Sequence, residues 1–150
     1  MDSDASSNAP WASKPPAAFD IVACNFPERE PKPDGAMKLR PALVLNVYRD
    51  KTTGAHAAKV AYGTTTLKFM QRGHLDLTIQ NATDLRLIGL PKATRFDLDN
   101  TVMLPWGPPY FDCWPGYSSP YIGSLTEDYL RELAWLITKR AALNEAKGPQ

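Results

Sequence analysis

Proline placement restricts the fold of this chain more than any other feature of its sequence. Of the 14 prolines, seven lie within residues 10–41 and five within residues 105–120, whereas Pro91 alone interrupts residues 42–104. Proline lacks a backbone N–H and is therefore excluded from central β-strands. The regular core is predicted to lie in the middle of the chain, with a first strand before it and a helix after it.

A central strand is predicted over residues 40–48, which read Arg-Pro-Ala-Leu-Val-Leu-Asn-Val-Tyr. Five of the seven residues after Pro41 are apolar, which is typical of a strand buried on both faces. Pro41 also biases Arg40 toward an extended backbone. The strand therefore begins with a permanently charged, five-donor guanidinium that can be directed at a carboxylate or a phosphate. The alternative is an ordinary surface arginine before a strand.

Shorter elements are predicted around this strand. A helical turn over residues 83–88 has Asn81 or Thr83 to cap it and Gly89 to stop it. Further strands are predicted over residues 19–26, 56–63, 75–79, 95–98 and 101–104.

The last part of the chain predicts one long helix. Ser124 and Glu127 have the spacing of a capping box, which starts a helix from about Leu125 to about Leu143. Its apolar residues fall on one broad face, so the helix is expected to pack on the sheet, with Trp135 within the packing. The residues thus predict an α+β, mostly β chain: a small, curved, largely antiparallel sheet of five or six short strands with a long C-terminal helix.

The chain is expected to contain a disordered lead over residues 1–17, one domain over residues 18–145 and a flexible tail over residues 146–150. The lead is acidic and polar, and no window is apolar enough to span a membrane, so a cytoplasmic protein without membrane attachment is expected. With a formal net charge of +1, any nucleic-acid role must depend on a local basic patch.

The cysteines and the absence of known motifs limit the cofactors that the chain is expected to use. Cys24 and Cys113 lie far apart in unlike settings and are expected to be unpaired thiols in a reducing compartment. The zinc motifs CxxC and HExxH, the Rossmann turn and the phosphate-binding P-loop do not occur. No metal and no other cofactor is therefore expected.

Two polar segments adjoin the central strand and its predicted partner. Residues 27–39 form a long polar loop that ends at Arg40, and loops of this length in a small domain are usually functional. A mobile connector is the alternative. Gly63 precedes three threonines, residues 64–66, which combine a backbone open to close approach with hydroxyl donors for phosphate or ribose oxygens. Threonines also favour strands for steric reasons alone.

The order of these segments resembles the PemK/MazF toxins of type II toxin-antitoxin modules. The resemblance covers about residues 19–140, and its best-matched part is the Arg-Pro-Ala-Leu-Val strand with its spacing to the threonine at 64. The matching segments are, in order, Phe-Asp-Ile-Val (19–22), the polar loop, Arg-Pro-Ala-Leu-Val-Leu (40–45), the strand ending at Thr64, Arg-Phe-Asp-Leu (95–98), Val-Met-Leu-Pro-Trp (102–106) and the closing helix.

The resemblance implies an SH3-like barrel that forms a homodimer. It implies a metal-independent, sequence-selective endoribonuclease that cleaves single-stranded RNA, inhibiting translation and growth, and a cognate antitoxin that covers the active groove. By motif, the catalytic pair corresponds to Arg40 and Thr64, with Thr65 as the alternative threonine. The implied chemistry is attack of a ribose 2′-OH on the adjacent phosphate, which leaves a 2′,3′-cyclic phosphate and a 5′-OH.

The proton acceptor of this reaction needs a separate hypothesis. Arginine has a pKa above about 12 and is a poor general base at neutral pH, so a loop carboxylate or a solvent molecule is expected to take the proton. The loop carboxylates are Glu28, Glu30 and Asp34, and the residues expected to contact RNA are Arg29, Lys32, Lys38 and Thr66.

Two other functions remain open. One is a non-catalytic barrel of the same ancestry that binds nucleic acid or an antitoxin peptide in its groove. The other is a related toxin directed at a protein such as gyrase. The aromatic and proline-rich segment over residues 105–120 is an addition to the shortest PemK/MazF members, and its rings are expected either to stack single-stranded bases or to plug the barrel.

Overall fold

The computed structural model describes residues 9–26, 38–67 and 75–147. Within these ranges the chain is α+β and mostly β, with six strands and two α-helices. They are β1 (Asp20–Cys24), β2 (Arg40–Arg49), β3 (His56–Thr64), β4 (Leu77–Ile79), α1 (Ala82–Ile88), β5 (Thr94–Pro105), β6 (Tyr121–Ser124) and α2 (Glu127–Lys147). The strands form one antiparallel sheet with the order β4-β5-β3-β2-β1-β6, and the sheet curls into a half-barrel.

The predicted central strand is confirmed. β2 pairs with β1 on one side and with β3 on the other, and Ala42, Leu43 and Val44 are fully buried. Because successive side chains of a strand point to opposite faces, this apolar run packs against both sides of the sheet.

Each face of the sheet has its own hydrophobic core. On one face, Leu43 packs with Leu133 and Leu136 of α2, as expected for the long helix. The other face, here called the aromatic face, buries Val44 together with Trp11 and Phe111. Outside the two cores, Arg40 at the start of β2 and Thr64 at the end of β3 are half-buried.

Helix α1 forms where the sequence predicted it. Asn81 caps it, because the Asn81 side-chain oxygen accepts hydrogen bonds from the backbone N–H groups of Thr83 and Asp84, at 2.9 and 3.1 Å. Gly89 ends it with φ at +99°, a left-handed conformation that favours glycine. Of the two caps considered, Asn81 is therefore the correct one.

Two expectations about the sheet are corrected. Residues 95–98 and 101–104 belong to one strand, β5, in which residues 98–100 form a bulge where the register steps from Ala61–Thr101 to Tyr62–Asp97. β6 was not predicted, although it pairs with β1 along the sheet edge.

The start of the long helix also differs from the expectation. Ser124 lies in β6 and donates its hydroxyl hydrogen to Asp20 Oδ1 at 2.8 Å, so the predicted capping box is wrong. Helix α2 begins at Glu127 and continues to Lys147. Trp135 is 58% exposed and does not belong to the packed face of α2.

Residues 9–17 are the described part of the predicted disordered lead over residues 1–17, and they are ordered. Pro10–Ser13 form a 3-10 turn, and the Trp11 side chain is buried on the aromatic face. Its backbone is held by Trp106, whose indole N–H donates to the carbonyls of Trp11 and Lys14 at 3.3 and 3.1 Å. Burial of one tryptophan fixes a segment whose composition predicted disorder.

Among the described residues, no helix is both long enough and apolar enough to cross a membrane.

Candidate active site

Arg40 is the first residue of β2 and is half-buried. It lies on the aromatic face, since it is two residues from Ala42, which belongs to that core. The Arg40 guanidinium carbon lies 5.5 Å from the centroid of the Tyr62 ring. The Nε atom is buried, and no described residue accepts a hydrogen bond from it. Arg40 therefore presents a desolvated N–H donor, which is costly unless a ligand satisfies it.

Tyr62 is part of this site, although the sequence analysis did not single it out. Its ring packs against Phe26 with centroids 4.9 Å apart and planes at 67°, an edge-to-face geometry. Phe26 thus supports the ring over which the Arg40 guanidinium lies. The signal in the sequence is spacing alone, because Tyr62 is two residues before Thr64 and so shares its face.

Thr64 ends β3 at the same end of the sheet as Arg40. The β2–β3 register pairs Ala42 with Tyr62, and two residues further along each strand come Arg40 and Thr64, which therefore occupy neighbouring positions on one face. Thr64 Oγ1 accepts a hydrogen bond from the Thr66 backbone N–H at 3.1 Å. Within the described ranges it donates none, so its hydroxyl hydrogen is available to a ligand.

The close approach of β2 and β3 at this end depends on Gly63. A Cβ atom at position 63 would overlap the carbonyl oxygen of Pro41 and would lie 3.0 Å from the Phe96 ring. Glycine therefore lets the backbone that carries Thr64 pack against the backbone that carries Arg40.

Two further charged side chains extend the site onto β5. The β3–β5 register places Arg95 opposite Thr64 and Asp97 opposite Tyr62, and residues directly opposite in an antiparallel ladder share a face. Arg95 and the half-buried Asp97 thus lie on the same face as Arg40 and Thr64. Both residues belong to the segments that carry the family resemblance, but the sequence predicts no role for them, because only the register brings them to this site.

Arg95 is fixed by an ion pair. Its Nη1 lies 2.6 Å from Asp76 Oδ2, with the two side chains only 10% and 14% exposed, and Asp76 Oδ1 accepts a hydrogen bond from the Leu98 N–H at 3.1 Å. Arg95 Nε is buried without an acceptor among the described residues. A second unsatisfied arginine N–H therefore adjoins Thr64 on the side away from Arg40.

Cys24 borders the site but is not a nucleophile at neutral pH. It is the register partner of Arg40 on β1 and is fully buried. Burial raises the pKa of the Cys24 thiol to about 12, and the thiol rather than the reactive thiolate is present at neutral pH. No cluster of three or more His, Cys, Asp or Glu side chains among the described residues is placed to hold a metal ion.

The other predicted site residues fall into two groups. Thr65, Thr66 and Lys38 are exposed next to Thr64 and Arg40, where a ligand at the site can reach them. Glu28, Arg29, Glu30, Lys32 and Asp34 lie outside the described residues, so their predicted roles stay predictions.

No protein-family model matches the chain, and no curated protein matches it.

Proposed function

We propose that this chain is a PemK/MazF-like toxin that cleaves single-stranded RNA without a metal ion. One observation carries the proposal: Arg40 and Thr64, the pair that the sequence resemblance selects for catalysis, end neighbouring strands on one face of the sheet. The two residues are separated by 23 residues in the sequence, and the β2–β3 hairpin brings them together.

The site offers donors where the reaction develops negative charge. When a ribose 2′-OH attacks the adjacent phosphate, negative charge accumulates on the phosphorus oxygens. Preorganised hydrogen-bond donors in a site that excludes water stabilise this charge more strongly than the same donors do in water. Arg40 Nε–H is buried and lacks an acceptor among the described residues, and Thr64 donates its hydroxyl hydrogen to none of them. In the proposed mechanism, the half-buried Arg40 guanidinium and the Thr64 hydroxyl bind the phosphorane oxygens, and Arg95, held in its ion pair with Asp76, adds positive charge beside Thr64.

Asp97 is the proposed proton acceptor. It lies on the same face as the donors, opposite Tyr62 and two residues along β5 from Arg95. A carboxylate accepts a proton from the attacking 2′-OH, whereas the guanidinium groups remain charged at all working pH values. The loop carboxylates Glu28, Glu30 and Asp34 are the competing proposal.

The remaining parts of the proposal follow from the resemblance and from the fold class. The curled antiparallel sheet is compatible with an SH3-like barrel, and we propose that two copies pair as in the toxin family. A cognate antitoxin with an acidic segment is the proposed inhibitor, because the half-buried Arg40 guanidinium is a cation that a carboxylate can bind. The proposed location is the cytoplasm, where mRNA is present.

The experiment that tests the proposal compares matched variants on a long single-stranded RNA in EDTA. Arg40→Ala and Thr64→Val remove the two donors, while Arg86→Ala and Thr101→Val remove the same groups at positions off the site. Cleavage by the wild type and by both controls, with losses of about 100-fold or more in both site variants, supports the proposal. Equal cleavage by Arg40→Ala would refute it. Salt-dependent binding of uncut RNA would instead support the non-catalytic barrel.

A further inference from the structure

We propose that Trp114 is a positioning residue for Arg40. As a statement about cleavage, the inference rests on the proposed function. As a statement about where the guanidinium is held, it stands on contacts alone. Trp114 lies in the aromatic and proline-rich segment between β5 and β6, for which the sequence predicted base stacking or barrel plugging.

The contact that carries the inference is a hydrogen bond to the residue before Arg40. The Trp114 indole N–H donates to the Leu39 carbonyl oxygen at 3.2 Å in a partly buried setting. The indole itself is held against Tyr117, with ring centroids 5.9 Å apart and planes at 85°. Leu39 C=O and Arg40 N belong to one planar peptide unit, so this bond restrains the backbone from which the guanidinium projects.

The same segment holds the strand beside Arg40. Cys24, the β1 partner of Arg40, forms an isolated antiparallel bridge with Phe111, and the next residue, Asn25, donates its backbone N–H to the Tyr110 carbonyl at 2.7 Å. Phe111 is fully buried. The segment thus fixes the Arg40 backbone from two directions, along the chain through Leu39 and across the sheet through Cys24.

The position of the Arg40 guanidinium depends on where the Arg40 backbone is held. No described residue accepts a hydrogen bond from Arg40 Nε, and the Tyr62 ring 5.5 Å away is the described contact of its guanidinium. Because no described residue holds Arg40 Nε by a hydrogen bond, the position of the guanidinium depends on the position of its backbone. Loss of the Leu39 restraint is therefore expected to loosen the guanidinium without removing any group that touches RNA.

The test needs a change at Trp114 that keeps the packing. Trp114→Phe removes the N–H donor, and replacement of Trp114 by 3-benzothienylalanine, which has sulfur in place of the indole N–H, removes the donor with almost no change of shape. The second replacement keeps the test decisive if Trp114→Phe fails to fold. Trp106→Phe is the matched control, because it deletes a tryptophan N–H that also donates to backbone carbonyls, those of Trp11 and Lys14.

The first readout does not depend on any activity. The Arg40 Nε–H resonance is assigned in a nitrogen-15 spectrum by its disappearance in Arg40→Lys, and its exchange with water is measured. Removing the Trp114 donor is expected to speed this exchange about 2- to 10-fold, the worth of one hydrogen bond, and Trp106→Phe is expected to leave it unchanged within twofold. An unchanged rate in the isosteric Trp114 variant would overturn the inference.

The second readout is a double-mutant cycle on RNA cleavage. In the wild-type background, loss of the Trp114 donor is expected to lower kcat about 2- to 10-fold, with KM unchanged within twofold. In the Arg40→Ala background, with guanidinium ion added to restore cleavage, the same loss is expected to have no effect, because the restored cation is not tied to the Leu39 backbone. Equal losses in both backgrounds would assign Trp114 a general structural role. If the wild type cleaves no RNA, the proposed function fails while the exchange measurement still decides the inference.

Discussion

The Arg40 guanidinium lies over the ring of Tyr62, with 5.5 Å between its central carbon and the ring centroid. Phe26 packs edge-to-face with the same Tyr62 ring and so helps to hold it in place. A cation over an aromatic face is attracted by the ring quadrupole. The ring thus orients the charge, and no described residue accepts a hydrogen bond from Arg40 Nε. This relationship turns a single arginine at the start of a strand into a directed donor.

The ring, and not the phenolic hydroxyl, is predicted to be what matters at position 62. Tyr62→Leu removes a cation–π contact worth about 0.5–2 kcal/mol, so RNA cleavage is expected to fall about 2- to 30-fold. Tyr62→Phe keeps the ring and is expected to stay within about twofold of the wild type. Single-turnover cleavage rates measure both, and an equal loss in the two variants would assign the role to the hydroxyl.

The two candidate proton acceptors, Asp97 and the loop carboxylates, can be distinguished by the cleavage rates of matched variants. Asp97→Asn keeps the size of the side chain and removes its basicity, and a general base contributes about 100- to 10,000-fold to a rate. We expect Asp97→Asn to lose at least about 100-fold in the cleavage rate and the triple change Glu28→Gln, Glu30→Gln, Asp34→Asn to retain most of it. The reverse order of the two losses would place the base in the loop.

Gly63 is predicted to be intolerant of a side chain for steric reasons. In Gly63→Ala the new methyl group would overlap the Pro41 carbonyl, and overpacking of this kind costs about 1–3 kcal/mol. Gly54→Ala is the comparison, because Gly54 has φ at +76° but its Cβ would make only an ordinary contact, 3.8 Å from Arg49 Nη2, so strain without overlap costs it only about 1–2 kcal/mol. Urea unfolding measures both, and Gly63→Ala is expected to be the less stable variant and to cleave RNA more slowly.

The buried Cys24 thiol predicts a loss of stability at alkaline pH. Burial raises its pKa from the ordinary value of 9.0 to about 12, so above pH 9 the unfolded chain releases the thiol proton while the folded chain keeps it. The free energy of unfolding is therefore highest below about pH 9 and falls as the pH rises toward 12.

The variant Cys24→Ala isolates this effect. At pH 10 the wild type is expected to have lost about 1 kcal/mol more than Cys24→Ala, relative to each protein at pH 7. Urea unfolding in the presence of a reductant measures the difference. Parallel pH profiles for the two proteins would contradict the assignment to Cys24.

The sequence predicted the strands and helices whose formation depends on residues close together in the chain. β2 could be placed because its apolar run has the composition of a doubly buried strand, and α1 because Asn81 and Gly89 supply both of its ends. β6 could not, because Gly123 in it serves a contact distant in sequence. A Cβ at position 123 would overlap the Ile88 carbonyl, and a glycine in a four-residue strand carries no local sign of that packing.

The candidate site was predictable only in part for the same reason. Arg40 and Thr64 were found by motif, but Asp97 and Arg95 join them through a register between β3 and β5, two strands separated by about thirty residues of chain. The capping box failed because Ser124 has a better partner, Asp20, which lies 104 positions earlier. Pairings of this range are decided by the packing of the whole sheet.

The central claim is tested most directly by identifying the end groups of the fragments produced at one cleavage site. An oligonucleotide containing a mapped cleavage site is incubated in EDTA with the wild type, beside a copy that carries a 2′-deoxyribose at the nucleotide before the cut. The account predicts a 2′,3′-cyclic phosphate and a 5′-OH from the first and no product from the second. Cleavage of the deoxyribose-containing copy, or products with 5′-phosphate ends, would contradict attack by the 2′-OH on a phosphate bound by Arg40 and Thr64.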